Sequence, residues 1–295
     1  MEYPIRYSIL SGLAVLLLLL SGCSMSQTAP TEGQSIVSLP SQLVETSGLI
    51  CLEQDFISFN DSGGKPVLYR VDRNGFIRNQ LKLAVKNSDW EAITSDGEFL
   101  YLADTGNNAG HKQRLFIYKV PLDWSGLKQP YRAEGLEIIL PVDEKRQAYQ
   151  HDLDFEALVY QQDALWLISK SWNSQIPARY KLDPALKRQK LGKAIPFAKP
   201  GFLVTDAVFD HRQQQWWLVG YQDPRKSIWA HLSNAGFQPQ IARYDNQLRL
   251  LDVQDLPSKG QVEGICIDQE KQIWTSEEGS KYSPALLIKT GLSSQ

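Results

Sequence analysis

An acid recurs in this chain at a place where acids are costly. In DWEAITSDGEFLYLADTGNN, residues 89–108, Glu91 stands directly before an apolar, strand-like run. A buried charge needs a partner or a metal, so a carboxylate there asks for one. Aligning the chain on the small and aliphatic residues that follow Glu91 brings out four more copies: TSGLICL, DFEALVY, VTDAVFD and VEGICID. The aligned polar column is Ser47, Glu91, Glu156, Asp206 and Glu263, with Glu45 two residues ahead of Ser47. A large apolar residue follows at a near-constant offset (Ile57, Tyr101, Trp166, Trp217, Trp274), and three residues further come Asn60, Asp104, Ser169, Gly220 and Glu277.

Carboxylates gathered from several copies raise one another's pKa unless a cation or a basic group compensates. Three chemistries follow from such a ring. Each acid can cap its own unit by accepting backbone N–H groups. The set Glu91, Glu156, Asp206 and Glu263 can hold an oxygen-ligated cation, best Ca²⁺, which takes carboxylate and carbonyl oxygens. Or two acids can act as a catalytic pair. Around them Glu45, Asn60, Asp61, Asp104, Asn107, Lys170 and Glu277 are candidate ligand contacts, and Lys170 can replace a metal as the counter-charge. Trp90 and Trp172 are the aromatic residues expected to meet a ligand, while Trp166, Trp217 and Trp274 read as core. Arg114 is expected to pair with Asp104, and His151 is read as a surface-loop residue that could reach the acids. No G-x-S-x-G elbow, H-E-x-x-H or P-loop is present, and the four histidines have no zinc spacing.

The elements that must position these residues are strands. Each copy continues with a third β-rich run (PVLYRVD, RLFIYKV, ARYKL, SIWAHL, PALLIKT), and a fourth (NQLKLAV, GLEIILPV, GKAIPFA, NQLRLLDV) precedes the next copy. Short aromatic and β-branched runs with Gly/Asp/Asn punctuation are the strand-and-turn signature. Four strands per unit at 44- to 65-residue spacing is the period of propeller blades. The last copy lacks a fourth strand, and SIVSLP, residues 35–40, precedes the first. The expectation is an all-β, single β-propeller of five four-stranded blades, closed by the N-terminal strand, over residues 35–295; six blades is the alternative, because the step from Glu91 to Glu156 is long. Cys51 and Cys266 fall on neighbouring inner strands, but alternation along a strand argues against their pairing.

The first residues read as a targeting segment. SILSGLAVLLLLL, residues 8–20, is an apolar run of 13 after Arg6, short for a membrane span and suited to a signal peptide. It ends in Leu20-Ser21-Gly22-Cys23, which resembles a bacterial lipobox. The resemblance implies a signal peptide over residues 1–22, lipidation of Cys23 with palmitate-type acyl chains, and a tether over residues 23–34. With Ser24 after the cysteine, it implies an outer-membrane lipoprotein facing the periplasm. The net charge of −2 gives no electrostatic case for nucleic acid.

ETSGL, DWEAI with LADTGNN, DFEAL with its following S-K, and VEGICID with WTSEEG resemble the bacterial SdiA-regulated and esterase-like-phytase group of propellers. They are more distantly similar to calcium-dependent lactonase and strictosidine-synthase-like propellers. The resemblance spans roughly residues 40–290 and implies a site at one mouth of the channel. For function it leaves open a ligand- or partner-binding envelope lipoprotein, with or without Ca²⁺, a metal-dependent hydrolase of an ester, lactone or phosphate ester, and an envelope scaffold. The partners implied are the membrane through the lipid anchor, an envelope protein or a small anionic ligand.

Overall fold

The computed structural model describes residues 34–142, 146–223, 225 and 237–294. Among these no helix is long and apolar enough to cross a membrane; Cys23 and the segment ahead of it lie outside the described residues. Short alternating runs bounded by turn residues form strands, and the strands form five antiparallel sheets. Blade 1 is β2 (Thr46–Cys51), β3 (Asp55–Asn60), β4 (Val67–Asp72) and β5 (Ile77–Lys82). Blade 2 is β6 (Trp90–Ser95), β7 (Phe99–Asp104), β8 (Arg114–Pro121) and β9 (Glu134–Ile139). Blade 3 is β10 (Phe155–Gln161), β11 (Ala164–Ser169), β12 (Ala178–Leu182) and β14 (Ile195–Pro196), and blade 4 is β15 (Leu203–Asp210), β16 (Gln215–Tyr221), β17 (Pro239–Tyr244) and β18 (Leu250–Asp255). Blade 5 is β19 (Val262–Ile267), β20 (Gln272–Glu277) and β21 (Leu286–Ser293), completed by β1 (Gln34–Ser38).

The chain is a five-bladed β-propeller. Its inner strands touch in a ring, β2 to β6 to β10 to β15 to β19 and back to β2. The N-terminal strand closes it, pairing antiparallel with β21 from Gln34↔Thr290 to Ser38↔Leu286. The long step between blades 2 and 3 holds loops and no sixth blade. It is followed by one strand the sequence did not announce: β13 (Arg188–Lys190) leaves blade 3 and runs parallel to β9 on the edge of blade 2. A second difference concerns blade 4. Its third strand is PQIARY, residues 239–244, pairing Pro239↔Tyr221 through Tyr244↔Trp216; SIWAHL lies outside the described residues. Pro239 opens this third strand, and proline is tolerated as the first residue of a strand.

The hydrophobic core is divided among the seams between blades. Tyr101, Trp166, Trp217 and Trp274, with Ile57, each face the next blade and join one of five separate clusters. Neighbouring blades therefore meet through opposite faces of their sheets. That corrects the reading of the cysteines: Cys266 lies opposite Trp274 and Cys51 opposite Phe56, in the same cluster between blades 5 and 1. The difference in parity is what brings them together, and they form a disulfide with Cα atoms 5.5 Å apart across 215 residues.

Candidate functional site

In blades 1, 2, 3 and 5 two loops meet at one mouth of the channel, and backbone hydrogen bonds hold them together. The loop leaving the second strand donates to the loop entering the first: Asp61 N to Glu45 O (2.9 Å), Thr105 N to Asp89 O (3.1 Å), Lys170 N to Asp154 O (3.0 Å) and Glu278 N to Gln261 O (3.0 Å). The side chains of the second column brace the same contact. Asn60 accepts from Glu45 N and donates to Gln42 O, Asp104 accepts from Asp89 N, and Glu277 accepts from Ser258.

Every inner strand is irregular at its start. The register slips between Trp90 and Ala92, Phe155 and Ala157, and Val262 and Gly264, so Glu91, Glu156 and Glu263 are each the extra residue of a β-bulge. A bulge re-aims its side chain and frees it from the ladder's alternation. In blade 4 the slip lies between Val204 and Asp206, so Thr205 occupies the bulge and Asp206 stands one residue past it. The two Asp206 oxygens accept the N–H groups of Ala207 and Ile265, each at 2.8 Å, and so tie blade 4 to blade 5. Ser47, in the first copy, bonds Glu91 O at 3.1 Å and ties blade 1 to blade 2.

Two of the bulge glutamates, Glu156 and Glu263, act on Lys170. Its ammonium is 3.2 Å from Glu156, and both side chains are buried. It lies over the rings of Trp172 (4.8 Å) and Tyr221 (5.4 Å). The acids around it, Glu156 first, hold the lysine protonated against the cost of burial. Burial pushes Glu263 up to about 7, with Lys170 and the 2.6 Å hydrogen bond from Gln261 opposing. Burial, with Glu263 and Asp61 adding to it, pushes Glu278 up to about 8.

A second group lies beside it. Oxygens of Asp61, Asp89 and Glu91 all lie within 4.8 Å of one another. Gly106, in D-T-G-N-N, makes that approach possible: a Cβ there would collide with the Glu91 and Asp89 carboxylates. Lys112 pairs with Asp89 at 2.8 Å. Burial pushes Glu91 well above the usual carboxylate range, and Glu156, Asp61 and Asp89 push the same way. Burial likewise raises Asp61 to about 6.

Asp89 and Asp154 were missed at the sequence level, although the signal was present. An acid or amide stands two residues before the column in four copies: Glu45, Asp89, Asp154 and Gln261. Asp154 accepts from Asn107 N at 2.5 Å and from Trp172 Nε1 at 2.6 Å, which locks Trp172 beside Lys170. Arg225 stacks on the same indole at 4.6 Å. Asn107 also donates to Leu153 O. Three expectations change. Trp90 is fully buried and packs edge-on against Phe59 in the core, Arg114 pairs with Glu137 and not Asp104, and His151 is buried, with Nδ1 accepting from Leu153 N.

No protein-family profile matches the sequence, and no curated protein matches it. Solved structures do. A streptogramin B lyase is 15% identical over 85% of this chain and 67% of its own, with a TM-score of 0.37. The Pan2 WD40 domain of Neurospora crassa is 12% identical over 85% and 76%, with a TM-score of 0.37. Kuenenia stuttgartiensis hydrazine synthase is 14% identical over 80% and 77%, with a TM-score of 0.41.

Proposed function

We propose that this propeller is the periplasm-facing domain of an outer-membrane lipoprotein, anchored through Cys23, and that it binds a ligand at its acidic mouth with the help of a divalent cation. The cation is assigned to Asp61, Asp89 and Glu91. One observation carries this reading. Four other acids of the mouth have their charge answered: Glu156 by Lys170, Asp154 by Asn107 and Trp172, Glu263 by Gln261, and Asp206 by two backbone N–H groups. Glu91 is buried beside two more carboxylates, and among the described residues no hydrogen bond reaches its carboxylate. An all-oxygen, all-carboxylate donor set suits Ca²⁺, whose six to eight ligands would leave positions for the bound molecule. The resemblance to SdiA-regulated and esterase-like-phytase propellers supports the same mouth.

The test is thermal unfolding with Ca²⁺ and with chelator. Saturation a hundredfold above Kd stabilises by about 2.7 kcal/mol, or about 5–10 °C for a domain of this size. Glu91→Gln should abolish the response. Coincident melting curves with and without Ca²⁺ would remove the cation from the proposal.

A second reading is favoured by Glu263 and Glu278, whose pKa values near neutrality suit a general acid or base. It makes the same mouth a hydrolase of an ester, lactone or phosphate ester. Turnover of such a panel, lost in Glu263→Gln without unfolding, distinguishes it from binding alone.

A further inference from the structure

A second acid recurs in the repeat, where the first strand of a blade ends. Five residues past Ser47, Glu91, Glu156, Thr205 and Glu263 the chain carries Leu52, Asp96, Gln161, Asp210 and Asp268. In the seam of blades 5 and 1, one oxygen of Asp268 accepts from Trp274 Nε1 at 2.9 Å and from Arg73 at 3.1 Å. The Arg73 guanidinium also lies over that indole, at 5.5 Å. In blade 2 Asp96 accepts from the Tyr101 hydroxyl at 2.8 Å, and the charge of Lys119 acts on Asp96. Both seams thus answer an aromatic donor and a cation with one carboxylate. Blade 1 has Ile57, which donates nothing, and carries Leu52. Blade 4 carries Asp210 with Trp217; neither Asp210 Oδ2 nor Trp217 Nε1 is bonded, but the chain supplies both groups. Blade 3 departs from the pattern, with the donor Trp166 and an uncharged Gln161 where the acid would be.

The cation of that seam is Arg179, on β12. Its guanidinium lies 4.2 Å from the ring of Trp166 and 4.9 Å from that of Trp216 in blade 4. Among the described residues it makes no ion pair and no hydrogen bond. Arg179 Nε, Trp166 Nε1 and Trp216 Nε1 are all buried without an acceptor. Burial lowers the pKa of the guanidinium, with no acid opposing it. A buried charge needs a partner, and a buried N–H without an acceptor is costly. Stacking on the two indoles answers the charge through the ring faces. It leaves the in-plane N–H groups unspent.

We infer that the seam between blades 3 and 4 binds a small monocarboxylate on Arg179, which supplies from outside the acid that the other seams carry in the chain. Nε and one Nη of a guanidinium form a fork that a carboxylate meets with two parallel bonds. An indole N–H only donates, so its acceptor must also be brought in. Arg179 is half-buried, and Ile195, its partner across the ladder, is 39% exposed, so a small molecule can reach the fork. A halide offers the fork one point and no second oxygen.

The test is titration of the purified protein with sodium acetate, and with sodium chloride at the same ionic strength, followed by melting temperature and by tryptophan fluorescence. Acetate at ten times its Kd should raise Tm by about 3–6 °C and change the fluorescence saturably, while chloride does neither. Arg179→Met, which keeps a long side chain between the indoles, should lose the response. Arg179→Lys keeps the charge without the fork and should weaken acetate on the order of tenfold, the loss of one charge-assisted hydrogen bond. Should the methionine variant not fold, the lysine variant decides. Absence of a saturable acetate response, an equal response to chloride, or a response undiminished in either variant overturns the inference.

Discussion

Glu263 makes the stability of this propeller depend on pH in the direction opposite to most proteins. It occupies the bulge of β19, is almost fully buried, and is pushed by that burial from 4.5 up to about 7. Between those two values the folded chain holds a proton that the unfolded chain has released. Its contribution is therefore complete below pH 4.5 and is lost as pH rises through 7. A shift of this size corresponds to about 3 kcal/mol at 1.36 kcal/mol per unit. Glu278, raised to about 8, and Asp61, raised to about 6, act with the same sign; because they repel one another and Glu263, their effects are not summed. His151 acts the other way, since burial lowers its pKa from 6.5. Asp72, Asp96 and Asp268 are held below 3.8 and matter only in stronger acid.

The assay is thermal or urea unfolding at pH 5, 6, 7 and 8 in chelator, comparing the wild type with Glu263→Gln. The difference between the two cancels His151 and the surface groups. The wild type should lose about 2.5 kcal/mol more than the variant across this range, or about 5–10 °C in Tm. Parallel pH profiles for the two proteins would refute the reasoning, because they would show Glu263 ionised in the folded state throughout. Ca²⁺ added at pH 8 should then restore stability to both proteins, since it binds the ionised forms of Asp61 and Glu91.

Two further outcomes follow from the same geometry. Lys170→Met leaves Glu156 buried without its counter-charge and should cost about 3–5 kcal/mol; a melting temperature equal to that of the wild type would show that the pair is not held as a buried one. Replacing Cys51 and Cys266 by Ser opens a 215-residue loop, which the loop-entropy account values at as much as about 5 kcal/mol; a variant as stable as the oxidised wild type would mean that β1 pairing with β21 closes the ring unaided.

The blade count was legible because a blade repeats a local pattern: polar residue, apolar pair, turn, aromatic, turn. The unpaired third strand of the last copy announced that β1 would complete it. What single strands could not state was how one blade faces the next. Alternation within a strand made Cys51 and Cys266 look mismatched, yet a ring of blades joins unlike faces, and only residues of opposite parity meet across a seam. The site divides in the same way. Glu91, Glu156 and Glu263 stood out as acids before apolar strands, but alignment by type placed Asp206 with them, and a one-residue bulge decides otherwise. Thr205 fills the bulge, and Asp206 spends both oxygens on backbone N–H groups of two blades. The column is thus two things at once. Where the acid is one residue past the bulge it holds blades together, and where it is the bulge residue it is turned toward Lys170 or toward Asp61 and Asp89. Moving blade 4's acid into the bulge, as Thr205→Glu, would place a fourth glutamate at the mouth with no added lysine, which is why a threonine that bonds Val262 O at 2.7 Å is the residue the charge balance tolerates there.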